Sequence, residues 1–504
     1  MRKRWIALAM AGVMALGTLA GCGSNGDSAD AARSEDDAAS TKDGGSEEAV
    51  TVTWCVFGDK KEDLDMVMED LNKKLVEKIN VKLNLEVIPQ GEYNDKMRLK
   101  STAGEDYDLV FTSNWLNSFS DNMSREAFLP IGDLLDEYGQ DIKAAMPEWL
   151  LDVATVDGEV YAVPNQQIIA RQLGVAIQKE YADKYGFDKT SLSDISELEP
   201  FLDQIVQNEP NMFPIDERVS PVFEKKYEDV VSASGGNGST GVVVAVDKED
   251  AEAKLLNGNE AVEEQLRKDN EWYQKGYIRK DIATVMDNTA DVKANRYVCT
   301  LSSYKPGWDA EMTQRQGVEY IAVPIEGTYI KAQSGSETMT AINVNSKHPE
   351  EAMKLLNAVY TDPEIYNELV FGIEGEHYTK TDDNSIEPIE DSGYDFSAYA
   401  WMLGNQFNAF YLPGQEDGLW EATDTLNREA EVSPLRGFVF DPSNVQSELA
   451  QMSSVAKEYN NGQYTTDDID AYIEERNEKM EQAGLQTVMD EVQRQIDEWR
   501  ASAE

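Results

Sequence analysis

The sequence predicts an α/β protein built on open, mostly parallel sheets flanked by helices, and three observations carry that prediction. Val50 to Phe57 is a β-branched and aromatic run that stops at Gly58 and Asp59, so it reads as a buried strand. Leu64, Val67, Met68, Leu71, Leu75 and Ile79 recur at intervals of three and four, one apolar face of a helix, with Asp63, Glu69, Lys73 and Lys78 elsewhere on it. Val81 to Ile88 alternates as a second strand closed by Pro89. Tyr93 to Lys100 then predicts a helix, and Tyr107 to Phe111 a third strand running into Thr112, Ser113, Asn114 and Trp115. Strand, helix, strand, helix, strand is the order of parallel strands joined by helical crossovers, and open sheets of that kind present ligand sites at the carboxyl ends of their strands. Asp59, and Asn114 with Trp115, stand at two of those ends.

Gly158 to Pro164 predicts a small strand or hairpin, and after Asn165, Gln166 and Gln167 a new apolar run begins at Leu173 to Ile177, so the chain changes body here. Leu198 to Val206 predicts a helix, Ser232 to Thr240 a Gly/Ser loop, and Gly241 to Val246 a strand. Gly236, Gly238 and Gly241 match the glycine spacing of a dinucleotide loop, but that loop needs a helix after it to aim its N-terminus at pyrophosphate, and a strand follows. Ala261 to Tyr277 is helical, with Val262, Leu266, Tyr273 and Tyr277 spaced for burial. Tyr297 to Leu301 is a strand opening onto Ser302, Ser303, Tyr304, Lys305, Pro306, Gly307 and Trp308. Tyr320 to Pro324 and Met339 to Val344 are strands, and His348 with Pro349 opens a helix carrying Ala352, Leu355, Leu356 and Val359. Leu485 to Trp499 puts Leu485, Val488, Met489, Val492, Ile496 and Trp499 on one helical face that should dock on the body.

The N-terminal stretch reads as an export leader. Arg2, Lys3 and Arg4 form a positive region, Trp5 to Leu19 an apolar one too short for the roughly 20 residues that span a bilayer, and Leu19, Ala20, Gly21 and Cys22 end it at a thiol. This resembles the lipobox of bacterial lipoproteins, which implies cleavage before Cys22 and acylation of its sulfur, and two chains suffice for stable anchoring. From Gly23 to about Ala49 the chain is Ser, Gly, Ala, Asp and Glu without large apolar residues, a tether. The formal net charge of −50 argues against nucleic acid as a partner, because phosphate binding needs clustered Lys and Arg. Beyond Cys22 only Cys55 and Cys299 remain, able to pair in an oxidising compartment or to sit as buried thiols in their apolar runs.

The run AINVNSKHPEEAMKLLNAVYTDPE at Ala341 to Glu364, followed by FGIEGEHY at Phe371 to Tyr378 and preceded by YDLVFTSNW at Tyr107 to Trp115, resembles family 1 extracellular solute-binding proteins of ABC importers. LGNQFN at Leu403 to Asn408, RGFVFD at Arg436 to Asp441 and the closing VQRQIDEW resemble the LipO-type lipoprotein subgroup, which carries its own C-terminal domain of unknown function. The resemblance covers nearly all of the chain from Val50 onward. It implies a two-lobed, periplasmic-binding-protein-like fold of type II with the ligand in the cleft between lobes, a sugar or oligosaccharide for many relatives, a monomer, and ABC permease subunits as membrane partners. The corresponding division is leader 1–21, lipidated cysteine and tether 22–49, first part of lobe 1 at 50–165, first part of lobe 2 at 166–290, return to lobe 1 at 291–335, second part of lobe 2 with the C-terminal region at 336–480, and a docking helix at 481–504.

The chemistry argues for binding without catalysis and without a cofactor or metal. Of the two histidines, His348 and His377, neither belongs to an H-E-x-x-H pair, and there is no G-x-S-x-G elbow and no D-x-D-x-D-G loop. His377 reads as a packed residue of the turn after Gly375. A glycosidase carboxylate pair is defined by separation in space, so an exported glycan-degrading enzyme, or a surface glycan-binding protein without a transporter, stands as the rival reading. A sugar site needs an aromatic face and planar hydrogen-bonding groups. Trp115 beside Asn114, Trp308 after Lys305, and Trp401 before Gln406 supply both, each tryptophan having core packing as its alternative. Gln166 and Arg171 at the lobe crossing, Asp59 at a strand end and Glu374 between Gly372 and Gly375 complete the candidates.

Overall fold

A computed structural model describes residues 48–216, 221–233, 241–285 and 288–503. Cys22 with its leader and tether, and the Gly236 and Gly238 stretch, lie outside the described residues.

Two five-stranded sheets define two lobes. In the first, Val81–Ile88, Val50–Phe57, Leu109–Thr112, Met339–Ile342 and Ala162–Pro164 lie side by side in that order. The first three are parallel, as the strand-helix-strand order predicts, and Met339–Ile342 runs antiparallel to both its neighbours. In the second, the order is Glu431–Val432, Tyr320–Ile330, Arg171–Gln178, Tyr297–Ser303 and Phe213–Ile215, again with both parallel and antiparallel pairs. The sheets are therefore mixed rather than mostly parallel. Met339–Ile342 returns from lobe 2 and enters its sheet from the opposite end, and no local helix sets its direction.

The helix Leu64–Ile79 shows how local sequence makes the first lobe. Leu64, Val67, Met68, Leu71 and Leu75 are its buried residues, and Asn80 ends it in the left-handed conformation that asparagine tolerates, φ 54°. Its apolar stripe joins Trp54, Phe57, Leu85, Phe111 and Ile342 in one core, to which Leu355, Leu356 and Val359 of the helix Pro349–Thr361 also belong. Lobe 2 has its own core around Val175, Ile177, Val298, Cys299 and Val323. Cys55 is buried in the first lobe and Cys299 in the second, and both are free. Burial raises both thiols, with Glu86 adding to the effect at Cys55, so neither is a reactive thiolate.

Pairing partners correct the lobe boundaries. Tyr297–Ser303 and Tyr320–Ile330 flank Arg171–Gln178, so 291–335 stays in lobe 2 instead of returning to lobe 1. Met339–Ile342 joins Leu109–Thr112, and the residues after it up to about Leu412 pack on the lobe 1 core, so this stretch belongs to lobe 1 and not to lobe 2. Alternation marks a strand but does not say which strand it will lie beside.

The C-terminal docking helix does not act alone. Leu485, Val488, Val492 and Ile496 of Leu485–Ala503 pack with Met452 of Gln446–Glu458 and Met480 of Ile469–Gln482 against Val231, Val244 and Val246 of a three-stranded sheet beside lobe 2. Where this layer meets the helix Gly258–Lys275, Asp269 is buried beside the side-chain amides of Gln265 and Gln463. Burial pushes its carboxyl up to about 7, against those donors. An acid whose folded value lies above its ordinary 3.8 keeps its proton longer folded than unfolded, so it costs stability progressively as pH rises from about 4 to 7. Asp269→Asn is accordingly expected to melt higher than the parent at pH 8 and level with it at pH 4. An equal shift at both values in thermal denaturation would show that the charge is not responsible.

Candidate functional site

The carboxyl ends of the lobe 1 strands meet the segments that cross between lobes. The chain crosses at 165–170, 331–338 and 413–430, between strands of the two sheets. After Val50–Phe57, Gly58 lies under the ring of Tyr399, where a Cβ would come within 3.3 Å of Cζ at a φ of 149°. The Tyr399 hydroxyl donates to Asp59 Oδ2 at 3.3 Å. After Leu109–Thr112, Ser113 Oγ accepts the backbone N–H groups of Trp115 at 3.2 Å and Leu116 at 2.8 Å, a hydroxyl-closed turn that projects Trp115 from the end of the strand. Asn114 Nδ2 donates to Ser336 Oγ at 3.0 Å and the Trp115 indole donates to the Glu337 carbonyl at 2.9 Å, fastening this turn to the second crossing.

Five aromatic rings gather there. Trp115, 45% exposed, and Trp401, partly buried, have centroids 6.4 Å apart at 39°. Both stand on buried Phe57, at 5.7 and 6.0 Å, and on Phe111, at 6.2 and 6.1 Å, and Tyr399 meets Phe57 at 5.9 Å. The Trp401 indole donates to the Ala398 carbonyl at 3.0 Å, so both indole N–H groups are engaged. Exposed aromatic surface, as on Trp115, is what an apolar sugar face can stack on.

Lobe 2 contributes Arg171. Its guanidinium donates to Ser303 Oγ at 3.2 Å and lies 3.9 Å from Glu337 Oε1, the residue whose carbonyl holds Trp115. Arg171, Ser303 and Tyr329 line a cavity of about 640 Å³ together with Lys248 and Lys331. Lys331 pairs with Asp229 at 2.8 Å. The Lys248 ammonium lies over the Tyr329 ring at 4.8 Å, and burial, then the charge of Lys331, push it down to about 8.

The crossings are held by polar side chains that the sequence did not single out. Asn427 Oδ1 accepts from the backbone N–H groups of Ile169 and Ala170 at 2.8 and 2.9 Å, while its Nδ2 donates to the Gln167 carbonyl at 2.7 Å. Arg436 donates to the carbonyls of Lys331 and Ser334 at 3.0 and 2.6 Å and lies over the Trp149 ring of lobe 1 at 4.7 Å. Burial pushes its guanidinium down to about 10.

Of the sequence candidates, Asp59, Asn114, Trp115, Arg171 and Trp401 are thus brought together, directly or through Tyr399, Ser336 and Glu337. The others are not. Trp308 is 5% exposed and packs with Ala176, Met312 and Tyr320, because Gly307, at φ 73°, caps the helix Trp308–Gln316 and turns its first residue inward. Lys305 pairs with Glu311 of that helix at 2.6 Å. Glu374 lies in a turn bridged to Tyr378, with Lys380 at 3.8 Å. Gln166 is buried as a stitch of the first crossing: its N–H donates to the Gly404 carbonyl at 2.8 Å, its carbonyl accepts from the Gln406 N–H at 2.9 Å, and its side-chain Nε2 donates to Asp424 Oδ1 at 3.4 Å. His377 is buried against Tyr394, its Nδ1 accepting from the Ile373 N–H at 3.0 Å. Among the described residues no group of three or more His, Cys, Asp or Glu is placed to hold a metal ion, and no helix is long and apolar enough to cross a membrane.

Comparison with known proteins agrees with this architecture. Residues 67–373 match the family of bacterial extracellular solute-binding proteins, and residues 434–501 match a domain of unknown function, DUF3502. A carbohydrate ABC transporter substrate-binding protein of Streptococcus pneumoniae serotype 4 is 28% identical over 99% of both chains. The N-glycan transport solute-binding protein NgtS from Streptococcus pneumoniae superposes with a TM-score of 0.77 at 26% identity, over 90% of this chain and 100% of that one. Its complex with Man1GlcNAc superposes at 0.63, over 89% and 99%. These relatives are named as substrate- or solute-binding proteins. With two mixed sheets, three crossings and a family match over more than half its length, the chain belongs to the bacterial extracellular solute-binding proteins.

Proposed function

We propose that this protein is the lipid-anchored receptor of an ABC importer and that it captures a carbohydrate by closing its lobes over the Trp115 and Trp401 faces. The observation that carries the reading is the tryptophan pair at the strand ends of lobe 1, exposed Trp115 beside partly buried Trp401, tied through Glu337 to Arg171 of lobe 2. A sugar on that pair has more partners when lobe 2 swings in, so it shifts the population toward the closed form, a shape that a permease reads. Two comparisons support this. A relative matched end to end is a carbohydrate transporter's binding protein. NgtS superposes better without a named sugar, at 0.77, than with Man1GlcNAc, at 0.63, although the identity is 26% in both, which fits an open arrangement here.

Thermal-shift screening of the body from about Val50 against a neutral oligosaccharide panel tests the reading. A ligand present at a hundred times its dissociation constant stabilises by about 2.7 kcal/mol, so at least one series should raise the melting temperature. No shift from any sugar would exclude a carbohydrate. The anchor is tested separately: Cys22→Ser is expected to release a folded protein from the membrane fraction, because acylation needs the thiol. Retention after a salt wash would show that the protein is held another way.

A further inference from the structure

Trp115 also walls a second cavity, of about 250 Å³, that lies wholly within lobe 1 between Asn94 and Arg125. Trp115 is its only apolar side chain among the described residues; the rest are amides, a serine, two aspartates and two arginines. Its floor is fixed in advance. Asn94 Oδ1 accepts the Asn117 N–H at 2.6 Å, and Asn122 Nδ2 donates to Asn117 Oδ1 at 3.0 Å and to the Ser118 carbonyl at 2.9 Å. Asn117 Nδ2 in turn donates to the Phe111 carbonyl at 2.9 Å, rooting the network in the strand that carries Trp115. Asn122, 6% exposed, lines the cavity, and its amide oxygen accepts no hydrogen bond among the described residues. The exposed Arg125 guanidinium forms no ion pair among the described residues, while Arg98 reaches Asp95 at 3.1 Å.

These features select the ligand chemistry. Asp95 and Asp121 balance Arg98 and Arg125, so an anion would face two carboxylates and a cation two guanidiniums. A neutral molecule meets neither penalty, and one that carries hydroxyls uses the open amide oxygen as acceptor and the guanidinium as a planar donor. The volume is below the roughly 300–1,000 Å³ of sites that take a whole ligand, which leaves room for about one ring. Because Trp115 is shared with the aromatic cluster facing lobe 2, an occupant here continues the ligand held there.

We propose that this cavity is an outer subsite for one neutral sugar ring of an oligosaccharide whose other rings lie on Trp115 and Trp401, an inference that rests on the carbohydrate reading above. All its residues belong to lobe 1, so it is complete in the open form and can engage a chain before the lobes close. The protein is then a receptor for oligosaccharides, with affinity that rises when the chain is long enough to reach this subsite.

The test is calorimetric titration with gluco-, manno-, galacto- and N-acetylglucosamine-oligosaccharides of increasing length, from disaccharides upward, using the parent, Trp115→Ala and the double variant Arg98→Ala with Arg125→Ala. Both arginines are exposed, so the double variant should melt with the parent. In the series that binds, it is expected to weaken the longest sugars about tenfold and leave the disaccharide unchanged, while Trp115→Ala weakens every length. If the double variant titrates like the parent at all lengths, or weakens short and long chains equally, the subsite is overturned while the Trp115 site stands. If no sugar binds the parent, the carbohydrate reading falls and the subsite falls with it.

Discussion

Replacing Trp115 with alanine is expected to raise the dissociation constant for the bound sugar about thirtyfold while lowering the melting temperature by only a few degrees. The ring is 45% exposed and meets Phe57, Phe111 and Trp401 at centroid distances of 5.7, 6.2 and 6.4 Å, so folding loses aromatic contacts worth about 0.5–1.5 kcal/mol each. Under the proposed function, binding loses a platform in a closing site, on the order of 2 kcal/mol for an anchoring aromatic, which is the stated factor. A tryptophan whose role is packing behaves the other way, since truncation in a core costs about 3 to 5 kcal/mol of stability. Melting and affinity measured on the one variant therefore separate the roles. A large fall in melting temperature with affinity preserved in the folded fraction would make Trp115 a core residue.

Arg436→Met should cost about 3 to 5 kcal/mol of stability, because the carbonyls of Lys331, Ala332 and Ser334 lose their shared donor in a partly buried place. Methionine keeps contact with the Trp149 ring but supplies no N–H. For a chain of this size that cost lowers the melting temperature by at least several degrees, on the order of 5 °C. The same carbonyls belong to the second crossing, which runs on to Ser336 and Glu337, the partners of Asn114 and Trp115. A looser crossing should therefore also alter the change in radius of gyration that ligand produces in solution scattering. Melting at the parent's temperature would show that water replaces the guanidinium at no cost.

The candidate site was partly legible. Asp59, Asn114 and Trp115 were found because the ends of parallel strands are readable wherever strand and helix periods alternate, as they do from Val50 to Trp115. Trp308 was misplaced for a related reason. It too follows a strand, Tyr297–Ser303, but a capped helix begins at Trp308 and turns the indole into the lobe 2 core. Tyr399, Ser336 and Glu337 sit in irregular segments with no period to mark them, and their function depends on partners 222 to 340 residues away. Asn94 falls on a polar position of the helix predicted from Tyr93 and no local pattern marks Asn122, until folding bonds both to Asn117.

By itself the sequence determined the elements: the run Val50 to Phe57, the stripe from Leu64 to Ile79 and the face from Leu485 to Ile496 are all found where their periods put them. It also determined the class of partner that a charge of −50 disfavours. Tertiary structure alone decided which lobe each element joins. Tyr297–Ser303 lies beside Arg171–Gln178, and Met339–Ile342 beside Leu109–Thr112, although either could pair with any strand of similar pattern. Periodicity is a property of neighbouring residues, set by side-chain direction along one segment. Strand partnership and the gathering of Trp115, Trp401 and Arg171 depend on which distant surfaces bury each other best, and no local pattern carries that information.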